Sequence, residues 1–144
     1  MDDKRILGLD IGERHTGVAV SDESKTFAFP LTTIHAYNKR QWIAEVIKVL
    51  TAEENIESIV VGLPLTHDGE EGRDAKNMQT YVALLQEKTK FPVIQWDERF
   101  TTVEAERYLL EADVSRSKRK EVIDKVAATI ILQNYLDSKK YGSK

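Results

Sequence analysis

Apolar residues recur with two different periods along the chain, and the change of period divides it. Up to about residue 35 the period is that of strands. Arg5 to Asp10 (RILGLD) and His15 to Ser21 (HTGVAVS) predict two buried strands, with Gly12 assigned the turn because glycine tolerates positive φ cheaply. Thr26 to Ile34 (TFAFPLTTI) predicts a third, and Pro30 inside it removes a ladder donor, which places this strand at a sheet edge. Short links between the three suggest an antiparallel meander. Beyond this point the period becomes helical: Trp42, Ile43, Val46, Ile47 and Leu50 share one stripe, and Ala75, Met78, Val82 and Leu85 another. Between and after these stripes, Ser58 to Gly62 and Pro92 to Trp96 read as a fourth and a fifth strand. Thr101 with Glu104 reads as a capping box opening a helix that runs to about Ala112, and a last helix runs from near Ser117 to about Ser138.

The resulting order is βββαβαβαα. Strands that alternate with helices are parallel and joined by right-handed crossovers, so one α/β domain with a five-stranded mixed sheet is the economical reading. It spans 1–144, with polar tails near 1–4 and 139–144. The same element order is found in the ribonuclease H-like fold, whose sheet order is 3-2-1-4-5, an analogy of topology that says little about function by itself.

Composition narrows the chemistry. With 144 residues, 41% hydrophobic and 31% charged, the chain is ordinary globular material. No apolar run approaches a membrane span, and no leader is read at the start. The absence of cysteine excludes disulfides, thiolate zinc sites and a cysteine nucleophile, and fits a cytoplasmic setting. A net charge of -3 argues against a broad, non-specific grip on nucleic acid, so any phosphate binding is local or assisted by metal ions.

Three acids stand in costly places. Asp10 ends the first strand, Glu98 follows the fifth directly after Asp97, and Asp124 leads the buried stripe of Ala127, Ala128, Ile131 and Tyr135. Each has an ordinary structural role open to it: a turn or cap for Asp10, service to Thr101 or Thr102 for Asp97, an ion pair with Lys120 for Asp124. The joint pattern favours a site. Parallel strands bring their C-terminal ends to one sheet edge, where α/β sites form. Carboxylates clustered there repel one another, and a divalent cation resolves the repulsion. Mg2+ or Mn2+ suits such oxygen donors, and two ions between shared carboxylates support phosphodiester hydrolysis without a histidine or serine nucleophile.

At these residues the sequence resembles the YqgF/RuvX family, described both as Holliday junction resolvases and as pre-16S rRNA nucleases. The matching blocks are GLDIGERHTGVAVSD, VVGLPLTHDGEEG, WDERFTTVEAE and RKEVIDKVAATIILQNYL, spread over nearly the whole chain. The resemblance implies a RuvC-like fold and an acidic metal site of Asp10, Glu98 and Asp124, catalytic and metal-binding together. One departure stands out. RuvC-like relatives carry the middle acid at the end of the fourth strand, whereas here that strand runs into Gly62-Leu63-Pro64. Glu98 ends the fifth strand instead, two positions and about 10 Å from the first. A fourth acid one helical turn from Asp124 would fall at Ala127 or at Glu121.

Around the acids, Arg116, Lys118, Arg119 and Lys120 form a basic run that suits a helix start poorly and phosphate well. Arg14 and Arg99 flank the acids and are assigned to the nucleic-acid backbone. Gly62, Pro64, Asp68 and Gly69 belong to a loop that reads as a rim. His15 and His67 are read as ordinary polar residues, and Trp42 and Trp96 as packing residues. The leading expectation is a metal-dependent nuclease acting on precursor rRNA, with ribosomal-subunit association implied, as a monomer or homodimer. A four-way DNA junction is the alternative substrate, and a non-catalytic RNA- or ribosome-binding factor the alternative class.

Overall fold

Short apolar runs in the first half and helical stripes in the second do produce the expected sheet. The structure, a computed structural model, describes residues 4–12, 14–63, 73–97 and 116–141, with the side chains at 63, 73–76, 97, 116–124 and 140–141 outside that description. Strands β1 (Arg5–Ile11), β2 (His15–Ser21) and β3 (Ala28–His35) form the antiparallel meander. β4 (Ile56–Leu63) lies parallel to β1, and β5 (Val93–Asp97) parallel to β4, in the order β3-β2-β1-β4-β5. The helices are α1 (Lys39–Ala52), α2 (Arg73–Lys88) and α3 (Arg116–Tyr141). The helix expected from Thr101 lies outside the described residues.

The sheet is buried on both faces. Leu7, Leu9, Ile11, Val18 and Val20 point one way and pack on Trp42, Ile43 and Val46 of α1 and on Met78, Val82 and Leu85 of α2. Ile6, Ala19 and Val60 point the other way and meet Ala128, Ile131, Leu132, Tyr135 and Leu136 of α3. The stripe read from Ala127 to Tyr135 is therefore the buried face of the last helix. Polar groups in these layers are paired. The Trp42 indole N–H donates to the buried Thr16 hydroxyl at 2.9 Å, and the Trp42 ring stands edge-on to Tyr81. The Ser21 hydroxyl accepts from the Ile6 N–H at 2.8 Å. Both tryptophans pack, Trp96 edge-on against Tyr135.

Three local readings change. Pro30 does sit on an edge strand, and the register shifts beside it, where Val18 pairs with Thr32 but Ala19 with Pro30, leaving Leu31 as the extra residue of a bulge. β3 begins at Ala28 and not at Thr26, because the Asp22 carboxylate has taken the backbone N–H groups of Thr26 (2.9 Å) and Phe27 (3.1 Å) into a turn. Gly12 is required for space and not for a positive φ. Its N–H donates to the His15 carbonyl, and a Cβ at Gly12 would lie 2.7 Å from that oxygen. The last helix also continues to Tyr141, shortening the expected tail, in keeping with the next glycine standing at 142.

The Asp22 turn carries a pH dependence. Burial works against the charge, but the Ser24 hydroxyl and the backbone N–H groups of Phe27 and Thr26 outweigh it and hold the Asp22 pKa below its ordinary value of 3.8. A carboxyl depressed in the folded state adds stability above its unfolded pKa, and that contribution is lost as pH falls through the folded value. Asp22→Asn is expected to lower stability at neutral pH. The gap to wild type should close as pH falls through the carboxylate range, as read by urea unfolding at a series of pH values.

Candidate active site

The candidate site lies where the C-terminal end of β1 meets the first half of α3. Asp10 is half-buried, one residue from the end of β1, on the face it shares with Ile6 and Gly8. That face belongs to α3, since Ile6 packs in the α3 core and a Cβ on Gly8 would lie 2.9 Å from the Leu132 Cβ and 3.4 Å from the Ala128 carbonyl oxygen. Gly8 is thus what lets the last helix lie close over β1, a role that carries no signal in the sequence.

The direction of α3 brings its first half to Asp10. The Gln133 side chain accepts from the Ala28 N–H and donates to the Thr26 carbonyl, each at 2.9 Å. Ala28 pairs with Ser21, and Ser21 bonds to Ile6, so Gln133 marks the N-terminal end of β1. Ala128 and Leu132 lie over Gly8. The helix therefore runs opposite to β1. Asp124, one turn before Ala128, stands about 6 Å further toward the C-terminal edge. Asp10, two residues beyond Gly8, stands about 7 Å further the same way. Asp10 and the backbone of Asp124 thus lie at about the same level over one face of the sheet. Arg116 opens the helix about 12 Å beyond Asp124, so the basic run of Arg116, Lys118, Arg119 and Lys120 belongs to a stretch of helix that overhangs the sheet edge.

Across the sheet, Leu9 pairs with Val61 and Gly62 with Trp96, so Asp10, Gly62 and Trp96 occupy one row. β5 is indeed two positions from β1. Glu98 and Arg99 lie outside the described residues, as do Pro64, His67, Asp68 and Gly69, while Gly62 is the buried penultimate residue of β4. Asp97 closes β5, and Glu121 lies in α3 one turn before Lys125. Among the described residues no group of three His, Cys, Asp or Glu side chains is positioned to hold a metal ion.

Several residues at this edge were not singled out by pattern. Asp10 pairs with Gly17, and Gly17 with Thr33, so a residue without a side chain stands between Asp10 and β3. One step further along the same face, His15 pairs with His35, their rings edge-to-face with centroids 4.7 Å apart. Alternation along β2 would have placed His15 on the face of Asp10, whereas the pairing with His35 is a long-range fact. Arg14 lies beside them, its guanidinium 5.6 Å from the centre of the Tyr37 ring.

Comparison with known proteins bears on this geometry. The model of the family described as "RuvX: Holliday junction resolvase" matches residues 4–138. The chain belongs to the RuvX family. A protein of Thermoanaerobacter pseudethanolicus named "Putative pre-16S rRNA nuclease" is 51% identical over 94% of this chain and 98% of its own length. A protein of the same name from Chloroflexus aggregans is 47% identical over 97% of this chain and 98% of its own. Among solved structures, RuvC of Thermus thermophilus in complex with Holliday junction substrate superposes with a TM-score of 0.56 at 16% identity, covering 97% of each chain. That likeness establishes the ribonuclease H-like, RuvC-type fold of this RuvX chain. No described helix is long and apolar enough to cross a membrane.

Proposed function

We propose that the chain is a metal-dependent nuclease that hydrolyses phosphodiester bonds and processes the 5′ end of pre-16S rRNA. The observation that carries this reading is the convergence of Asp10 and the backbone of Asp124 on one level of one sheet face, beside the end of β5, where Glu98 follows. The near-complete matches to relatives named as pre-16S rRNA nucleases support the substrate.

The donor set fits a hard divalent cation. Asp10 offers carboxylate oxygen from a rigid strand end, and Asp124 and Glu98 would offer two more carboxylates. These three would hold Mg2+ or Mn2+, as one ion or a pair, which when bound supplies an activated water and charge stabilisation at phosphorus. The chain's own residues do the rest. The strand holds Asp10 in one orientation. Arg14, Arg99 and the basic run from Arg116 to Lys120 take the backbone phosphates on either side, which gives affinity without sequence choice. Gly62 belongs to β4 and not to the loop, so the rim would fall to Pro64, Asp68 and Gly69 after the strand. Such a task belongs in the cytoplasm with the nascent small ribosomal subunit, and the three acids would all come from one chain, which serves equally as a monomer or in a homodimer.

The four-way DNA junction is the second reading, favoured by the description of the family and by the RuvC likeness. Junction resolution takes two symmetrical cuts and so a two-fold dimer. The test is cleavage of a precursor-rRNA 5′ fragment and of a mobile junction, side by side, with Mg2+ and after chelation. The account expects RNA cleavage that stops in EDTA and returns with Mg2+ or Mn2+. Paired cuts in the junction with intact RNA would transfer the assignment to resolvase. Binding of RNA without metal-dependent cleavage would make the chain a binding factor.

A further inference from the structure

We propose that Tyr37 is a stacking platform for an unpaired base of the nucleic acid, on a path that leaves the acidic site past Arg14 and the His15–His35 pair. The inference rests on the nuclease reading above and names the part of the surface that holds the flanking single strand.

Tyr37 is 79% exposed, the most exposed large hydrophobic side chain among the described residues. Its backbone is nonetheless firmly held. The Tyr37 N–H donates to the Gln41 side chain at 2.9 Å, while the Asn38 side chain accepts from the Gln41 N–H at 2.8 Å and caps α1. A residue just before a helix cap ordinarily folds back on the residue four positions into the helix. Here that residue is Trp42, buried against Tyr81 and Thr16, and Tyr37 remains outside. The ring therefore projects into water from an anchored backbone, with little burial of its own. One ring face lies under the Arg14 guanidinium, an arrangement that presents a cation and an aromatic surface together.

The location gives the surface its use. His35 closes β3, two residues before Tyr37, and lies on the face of Asp10 together with His15. The Arg14 carbonyl accepts from the Ala36 N–H at 3.1 Å, tying the two segments together. Lys39 and Arg40 follow at the start of α1. In a chain of net charge -3 this is a local concentration of cations, imidazoles and one exposed ring, arranged outward from Asp10. Stacking on an exposed ring needs a base free of its partner, so the ligand is single-stranded at this point.

The test is fluorescence anisotropy of a labelled, short, single-stranded oligoribonucleotide in EDTA, where binding is read without turnover. Tyr37→Ala is expected to weaken binding about five- to 150-fold, the range of one base–aromatic stack, while leaving the melting temperature unchanged. Tyr37→Phe should bind as wild type, because it keeps the stacking face. A duplex of the same sequence should bind wild type and Tyr37→Ala equally. Unchanged single-strand affinity in Tyr37→Ala overturns the proposal, as does an equal loss in Tyr37→Phe. The nuclease reading fails separately: if cleavage survives in Asp10→Asn while Tyr37→Ala still loses affinity, the catalytic assignment falls and the binding surface stands.

Discussion

Asp10→Asn is expected to fold as wild type does and to lose cleavage by about a thousandfold or more, roughly 4 kcal/mol of transition-state stabilisation. Amide for carboxylate keeps the shape of the side chain and removes the anion. The strand around it is set by Leu7, Leu9 and Ile11 on one face and by Ile6 and Gly8 on the other, none of which depends on the charge. Circular dichroism and thermal melting check the first half, and cleavage of the rRNA fragment in Mg2+ checks the second. A folded Asp10→Asn variant with wild-type rates would remove Asp10 from the chemistry.

The second large effect comes from a residue with no side chain. Gly8→Ala places a methyl 2.9 Å from the Leu132 Cβ and 3.4 Å from the Ala128 carbonyl oxygen. Neither atom is the free end of a flexible chain, so the helix itself must move. Overpacking of this kind costs about 1–3 kcal/mol. The displaced helix also carries Asp124, one turn from Ala128, and misplacing a catalytic group by a fraction of an ångström to an ångström costs about ten- to one-hundred-fold in rate. Gly8→Ala is therefore expected to lose stability in urea unfolding and activity at temperatures where it is still fully folded. A variant that lost stability but kept its full rate would separate the packing of α3 from the site.

The fold was largely legible because its two signals are local. The short apolar runs RILGLD and HTGVAVS mark strands buried on both faces, and the 3.6-residue stripe from Ala127 to Tyr135 names the buried face of a helix before its partner is known. The edge position of β3 was legible from Pro30 for the same reason, since a missing donor is a local fact. What failed was set by side chains acting at short range on the backbone: Asp22 captures Thr26 and Phe27 and delays β3, which no periodicity reveals. At the candidate site, the place of Asp10 near the end of an apolar strand was legible. Gly8, Gly17, His35 and Tyr37 did not, because their roles depend on which strand or helix lies opposite. The close approach of α3 to Gly8 and the pairing of His15 with His35 belong to the assembled sheet.

If acids from three separate elements hold one metal site, the binding of the metal itself will show it. Electron paramagnetic resonance of Mn2+ titrated into wild type, Asp10→Asn, Glu98→Gln and Asp124→Asn reads bound against free ion without requiring any substrate. The account predicts that wild type takes up Mn2+ and that each of the three single substitutions weakens the same binding event. Undiminished Mn2+ uptake by all three folded variants would contradict a shared site at this edge of the sheet.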